Sequence, residues 1–183
     1  MNNINLPTFQ PNTLSLYVQN RDSHPISNTI VEDSLFEDSY KDGIILPANS
    51  INVGEVYNIF IQGVVSCQTA MHLGFQLLLK SKPILSTTFT IDPCDNSIFT
   101  LNIISVVRAT GVETVGNIIS TGTFSYYPKD IIFQEGVIFT ENNMTNVDTT
   151  IENTLNVTAM WDNDITATSI YSTIANITKT KLS

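Results

Sequence analysis

Apolar and polar residues alternate with a period of two along most of the chain. Tyr57, Ile59 and Ile61 share one face of the run from Glu55 to Val65, and Phe75, Leu77 and Leu79 do the same before Lys80. Leu101, Ile103, Ser105 and Val107 alternate with Asn102, Ile104, Val106 and Arg108. Leu155, Val157, Ala159 and Trp161 alternate with Asn156, Thr158 and Met160. This period, enriched in β-branched residues, predicts half-buried strands. Ile103-Ile104 and Ile131-Ile132-Phe133 are apolar on both faces. They predict strands covered on one side by a second sheet and on the other by a neighbouring subunit.

Turn chemistry separates the runs. Pro47-Ala48-Asn49-Ser50, Asn52-Val53-Gly54, Asp92-Pro93-Cys94-Asp95-Asn96, Thr110-Gly111, Tyr127-Pro128-Lys129-Asp130 and Glu141-Asn142-Asn143 are strand breakers. The breaks recur at intervals of roughly 10–20 residues, which suits a β-sandwich. No segment holds a clean helical period with both caps. Ser27 to Tyr40, with Glu32-Asp33, is where a short helix would fall. Residues 1–26 are polar and hold three of the seven prolines, Pro7, Pro11 and Pro25. They read as an N-terminal arm, leaving 27–183 as the sandwich.

Composition narrows the function. The 183 residues fit one domain with a self-sufficient core. Only 14% are charged, so uncharged Asn, Ser and Thr must cover much of the surface. The net charge of −9 offers no basic footprint for nucleic acid or for an anionic membrane. No apolar run is long enough to span a bilayer, and Met1-Asn2-Asn3-Ile4-Asn5 lacks the basic and apolar regions of a signal peptide.

Little in the chain points to catalysis. Cys67 and Cys94 do not make a disulfide framework. They read first as free buried thiols and second as a disulfide. The two histidines, His24 and His72, show no metal-ligand spacing with them and no nucleophile motif. Asp162 and Asp164, and the set Glu32-Asp33 with Glu37-Asp38, read first as solvated turn acids. The Asp162/Asp164 pair could alternatively hold calcium, and paired carboxylates could serve a glycosidase. The sequons at Asn143, Asn156 and Asn176 are expected by chance in a chain this rich in Asn and Thr, and two lie in expected strands. The expectation is no enzyme, no catalytic or metal residues and no cofactor.

One ordered set of motifs carries a resemblance. Ile45-Leu46-Pro47-Ala48-Asn49-Ser50-Ile51-Asn52-Val53-Gly54-Glu55-Val56 runs into Ile59-Phe60-Ile61-Gln62-Gly63-Val64. Phe75 to Lys80, Ile103 to Gly111, and Leu155-Asn156-Val157-Thr158-Ala159-Met160-Trp161 with Ser169-Ile170 follow in order. Together they resemble a jelly-roll module of phage tail-fibre and virion proteins and of capsid-associated proteins of large DNA viruses. In that pattern Glu55 stands where an Asp is usual, and Met160 where a polar residue is usual. Ser81-Lys82-Pro83 replaces a turn with glycine. Locally, Pro47 and Asn49 shape a strand entry, Gly54 supplies an unusual backbone angle, and Trp161 is a core, interface or ligand anchor.

The resemblance implies an antiparallel jelly-roll sandwich with an N-terminal arm and no catalytic residues. It implies a virion structural protein, assembled in the host cytoplasm, that decorates a capsid or fibre as a homotrimer. The arm would hold other capsid or fibre proteins, and the sandwich could meet a host glycan or receptor. The alternative is a lectin-like carbohydrate-binding module. Its exposed aromatics would come from Tyr126, Tyr127, Tyr171 and Trp161.

Overall fold

The alternating runs pair edge to edge into two antiparallel sheets. The computed structural model describes residues 11–112, 116–129, 134–141, 147–164 and 167–182. The larger sheet runs β1 (Pro11–Val18), β12 (Thr168–Leu182), β5 (Glu55–Cys67), β8 (Cys94–Ala109), β9 (Asn117–Tyr126) and β10 (Glu135–Glu141). The short β2 (Ile26–Ser27) also pairs with β12. The smaller sheet runs β3 (Asp33–Ser34), β11 (Asn153–Trp161), β6 (Met71–Leu79) and β7 (Lys82–Ile91), with β4 (Ile44–Leu46) also on β11.

The pairings nest. β1 lies on β12, β4 on β11, β5 on β8 and β6 on β7. A long hairpin wrapped into two sheets gives this order, the jelly roll. The β9–β10 hairpin is an addition that extends the larger sheet beyond β8.

The predicted faces form the core. Tyr57, Ile59, Ile61, Phe75, Leu77, Leu79, Leu101, Ile103, Val107, Leu155, Val157 and Trp161 are all buried. Phe124 of β9 is the hub of an aromatic cluster. Its ring centroid lies 5.1 Å from Phe75, 5.1 Å from Phe89, 5.6 Å from Phe99 and 5.7 Å from Tyr126. Gly63 faces the bulge of β12 so closely that a Cβ there would lie 2.0 Å from the Tyr171 carbonyl oxygen. Gly54 adopts φ +81°, the angle its position in the turn demands.

The segment read as an arm departs from expectation. Residues 1–10 lie outside the described residues. Residues 11–18 are the first strand of the jelly roll, and 19–26 are tied to β12. The hydroxyl of Ser172, fully buried, has two acceptors for its single proton, Gln19 Oε1 at 2.9 Å and the Leu35 carbonyl. Its N–H donates to Ser23 Oγ at 2.9 Å, and its carbonyl accepts from Gln19 Nε2 at 3.1 Å and Ser23 N–H at 2.9 Å. The polar look of this segment reflects an edge strand and a buried hydrogen-bond cluster. The helix considered within Ser27 to Tyr40 is limited to one 3-10 turn, Asp38–Tyr40. The Ile131-Ile132-Phe133 run lies outside the described residues.

Candidate functional site

The larger sheet turns one face to the core and one outward. Val56, Asn58, Phe60, Gln62, Val64 and Ser66 are the outward set of β5. Ile98, Thr100, Asn102, Ile104 and Val106 are that of β8, with the exposed Arg108 at the strand's bulged end. On β9 the set is Ile119, Thr121, Thr123 and Ser125. Cross-strand register aligns these residues in rows. One row crosses all six strands: Val18, Asn176, Phe60, Asn102, Thr123 and Ile138. Another joins Tyr171, Val64 and Ile98, and a third joins Val56, Val106 and Ile119.

Apart from Arg108 none of these residues is charged, although the chain carries 8 Lys+Arg and 17 Asp+Glu. Phe60 is 37% exposed, Ile104 45%, Ile98 55% and Ile138 79%. With strands about 4.8 Å apart and about 3.3 Å per residue, the patch measures roughly 24 by 27 Å. That is of the order of the ~800 Å² that each partner contributes to a standard protein interface.

At one end of the sandwich lies an open cleft of about 590 Å³. Its floor holds Cys67, the last residue of β5, and Cys94, the first of β8. Around them stand Asn28, Gln68, Asp95 and Thr168. Asn28, at φ +50°, and Thr168 clasp each other. Asn28 N–H donates to Thr168 Oγ1 at 3.3 Å, and Thr168 N–H to Asn28 Oδ1 at 3.2 Å. Lys129 N–H donates to the Pro93 carbonyl at 2.7 Å and closes another side.

Cys67 and Cys94 are Cα partners in the β5–β8 register, with sulfurs 3.8 Å apart. The Cys67 thiol also lies 3.3 Å from the Asp92 carbonyl, and the Cys94 thiol 3.7 Å from the Val65 carbonyl. A hydrogen bond from Cys94 lowers the Cys67 pKa and outweighs the opposing effect of burial. The same contact and burial raise that of Cys94.

The remaining candidates are scattered. His72 Nδ1 and Asp162 Oδ2 lie 2.7 Å apart, and the His72 N–H also donates to Asp162 Oδ1 at 3.2 Å. Both side chains are about half exposed, and together they join the start of β6 to the end of β11. The Asp162 carboxylate is thus engaged by His72. Among the described residues no group of three or more His, Cys, Asp or Glu could hold a metal ion. His24 is exposed in the β1–β2 connection. Glu32 accepts the Thr158 hydroxyl, and Asp33 Oδ1 accepts the Ser34 N–H at 2.8 Å. Glu37 is buried, and Asp38 opens the 3-10 turn.

The aromatic candidates divide. Trp161 is core, its Nε1–H donating to the Ile26 carbonyl at 3.1 Å. Tyr126 is core too. Its hydroxyl accepts from Asp92 N–H at 2.7 Å and donates to Glu135 Oε2 at 3.1 Å. Tyr127 is exposed and Tyr171 half-buried. Of the sequons, Asn156 spends its amide on Ser34 and Lys41, and Asn176 belongs to the outward row through Phe60. Asn143 lies outside the described residues.

No protein-family model matches this sequence, and no curated protein matches it. Among solved structures it is similar to the CBM2 module of the evolved Dit of Lactobacillus casei BL23 phage J-1. That match has 13% identity and a TM-score of 0.40 over 77% of this chain and 69% of that one. It is also similar to arcelin-5, a lectin-like defence protein from Phaseolus vulgaris, with 7% identity and a TM-score of 0.41 over 94% and 99%. A third is winged bean acidic lectin complexed with methyl-α-D-galactose, with 8% identity and a TM-score of 0.35 over 95% and 100%. At such identities and scores these likenesses carry no argument about family or function.

Proposed function

We propose that this chain is a non-catalytic structural subunit of a virus or phage particle, working as a homotrimer packed through the outward face of its larger sheet. The observation that carries this reading is the charge-poor outward face. A chain of net charge −9 stays soluble by spreading charge, yet the outward rows through Phe60, Val64 and Val56 carry none, and the exposed Arg108 lies only at the far end of β8. Depletion of charge and enrichment in apolar and aromatic residues distinguish the centre of an interface from ordinary surface. Around a three-fold axis, one part of this face on each copy meets a different part on the next, and neither part brings much charge to desolvate. Residues 11–26 are engaged in the sandwich, so anchoring to other capsid or fibre proteins falls to residues 1–10 and the rest of the surface.

Light scattering tests the proposal. The full chain is expected to run as a trimer, and the pair Phe60→Asp with Ile104→Asp as a monomer with an unchanged far-ultraviolet spectrum. A wild-type monomer at every concentration would sink the assembly reading.

A carbohydrate-binding module is the second reading, favoured by the polar walls of the end cleft. Asn28, Gln68, Asp95 and Thr168 offer the amide, carboxylate and hydroxyl groups that orient a neutral sugar. A glycan array would support it if binding is seen and is lost in Asp95→Ala.

A further inference from the structure

We infer that Cys67 and Cys94 are a modification site: a cross-strand thiol pair, reached through the end cleft, that a small disulfide such as oxidised glutathione converts to a disulfide in the folded protein. Three observations carry this. The residues face each other directly across β5 and β8, and their sulfurs already lie 3.8 Å apart. Directly opposed residues in an antiparallel pair bring their Cβ atoms within about 4.5–5.5 Å, close to the ~3.8 Å a disulfide uses. Closing the gap needs only a small movement where the ladder ends, next to the register shift between Val65 and Cys67.

The second observation is access. Both residues line the cleft of about 590 Å³, yet they are only 2% and 3% exposed. A small disulfide can enter an open cleft of that volume. The third is isolation. These are the only two cysteines in the chain, so no other intramolecular pairing competes.

The chemistry balances. The Cys67 thiol loses its proton, and the thiolate attacks one sulfur of oxidised glutathione. The glutathione S–S bond breaks, and the departing glutathione thiolate takes up a proton. The Cys94 thiolate then attacks Cys67 Sγ in the mixed disulfide and expels the second glutathione as its thiol. Two protein thiols are oxidised to one disulfide, and one small disulfide is reduced to two thiols. Cys67 is the expected first nucleophile, since the contact with Cys94 favours its thiolate. This inference is independent of the assembly reading, because it is scored on thiols rather than on particle mass.

The test uses the reduced full-length chain in buffer with oxidised glutathione, followed by alkylation in denaturant and intact mass. The expected result is loss of both alkylatable thiols, no retained glutathione, reversal by dithiothreitol, and a thermal midpoint higher by about 5–10 °C. Cys94→Ser should instead hold one glutathione on Cys67. Two thiols that remain alkylatable in the folded chain, or oxidation only after unfolding in urea, would overturn the inference. So would a wild-type chain that keeps a glutathione adduct, since Cys94 would then not reach Cys67. If Cys94→Ser does not fold, the wild-type thiol count decides alone.

Discussion

The Glu55 carboxylate receives the Lys179 ammonium at 3.2 Å, and the two lock the start of β5 to the end of β12. Glu55 also accepts Asn52 N–H at 2.9 Å and Asn52 Nδ2 at 3.0 Å, while Lys179 donates to the Ser50 carbonyl at 2.9 Å. Burial alone would raise the Glu55 pKa, but the Asn52 bonds and Lys179 outweigh it and hold the carboxyl below its ordinary 4.5. A carboxyl depressed by folding stabilises fully above its unfolded pKa, and that contribution disappears as pH falls through the folded value. Glu55→Gln should therefore cost about 1–3 kcal/mol at pH 7 in urea unfolding. The gap to wild type should shrink steadily below pH 4.5. A gap that is constant between pH 7 and pH 3 would contradict this account.

Ser172 and the Gln19–Ser23 segment make a second, more demanding prediction. A chain lacking residues 1–25 loses β1 and every Gln19 and Ser23 bond to Ser172, exposing β12 as a raw edge. It should lose cooperative unfolding or aggregate, whereas an expendable arm would come away silently. Gln19→Ala in the full chain should cost about 1–2 kcal/mol, since it removes two buried hydrogen bonds to Ser172 while the Leu35 carbonyl and the Ser23 N–H still satisfy its hydroxyl and carbonyl. Thermal or urea melts of the two variants distinguish the cases.

The β6–β7 hairpin is built on a turn its residues do not favour. Leu79 pairs with Lys82, so Lys80 and Ser81 alone make the loop, at φ +49° and +61°. Two-residue loops of this hand favour Asn-Gly because both positions are left-handed. Ser81→Gly should stabilise by about 0.5–1 kcal/mol and Lys80→Asn with Ser81→Gly by about 1–2 kcal/mol. Equal or lower stability in the double variant would mean that the turn carries no such strain.

These elements also mark how far the sequence could be read. The long alternations gave the core directly, since period two in β5, β6, β8 and β11 needs no tertiary knowledge. β1 was hidden because a register shift between Ser15 and Tyr17 breaks its alternation and leaves Val18 outward. β9 was hidden because its inward positions include Ser120 and Gly122. The Phe139 ring fills the space beside Gly122, and a Cβ there would meet it at 2.3 Å. The outward face was half legible through Ile103-Ile104, of which Ile103 is core and Ile104 is 45% exposed. The end cleft was not legible, because Asn28, Cys67, Cys94, Lys129 and Thr168 meet only once β5, β8 and β12 are in register.

The added β9–β10 hairpin could be an ornament or a structural necessity, and Phe124 decides between them. It is fully buried and bridges both sheets, touching Phe75 and Phe89 of the smaller and Phe99 of the larger. Removing its ring leaves a cavity in the middle of the cluster, which neighbouring aromatics cannot collapse to fill. Phe124→Ala should cost about 3–5 kcal/mol, and Phe124→Leu about 1–2 kcal/mol, since Leu keeps most of the volume and loses the ring contacts. If the hairpin were an ornament, Phe124→Ala would unfold β9 and β10 alone and leave the main urea transition in place. A single transition, shifted as a whole, would make the hairpin part of the sandwich's cooperative unit.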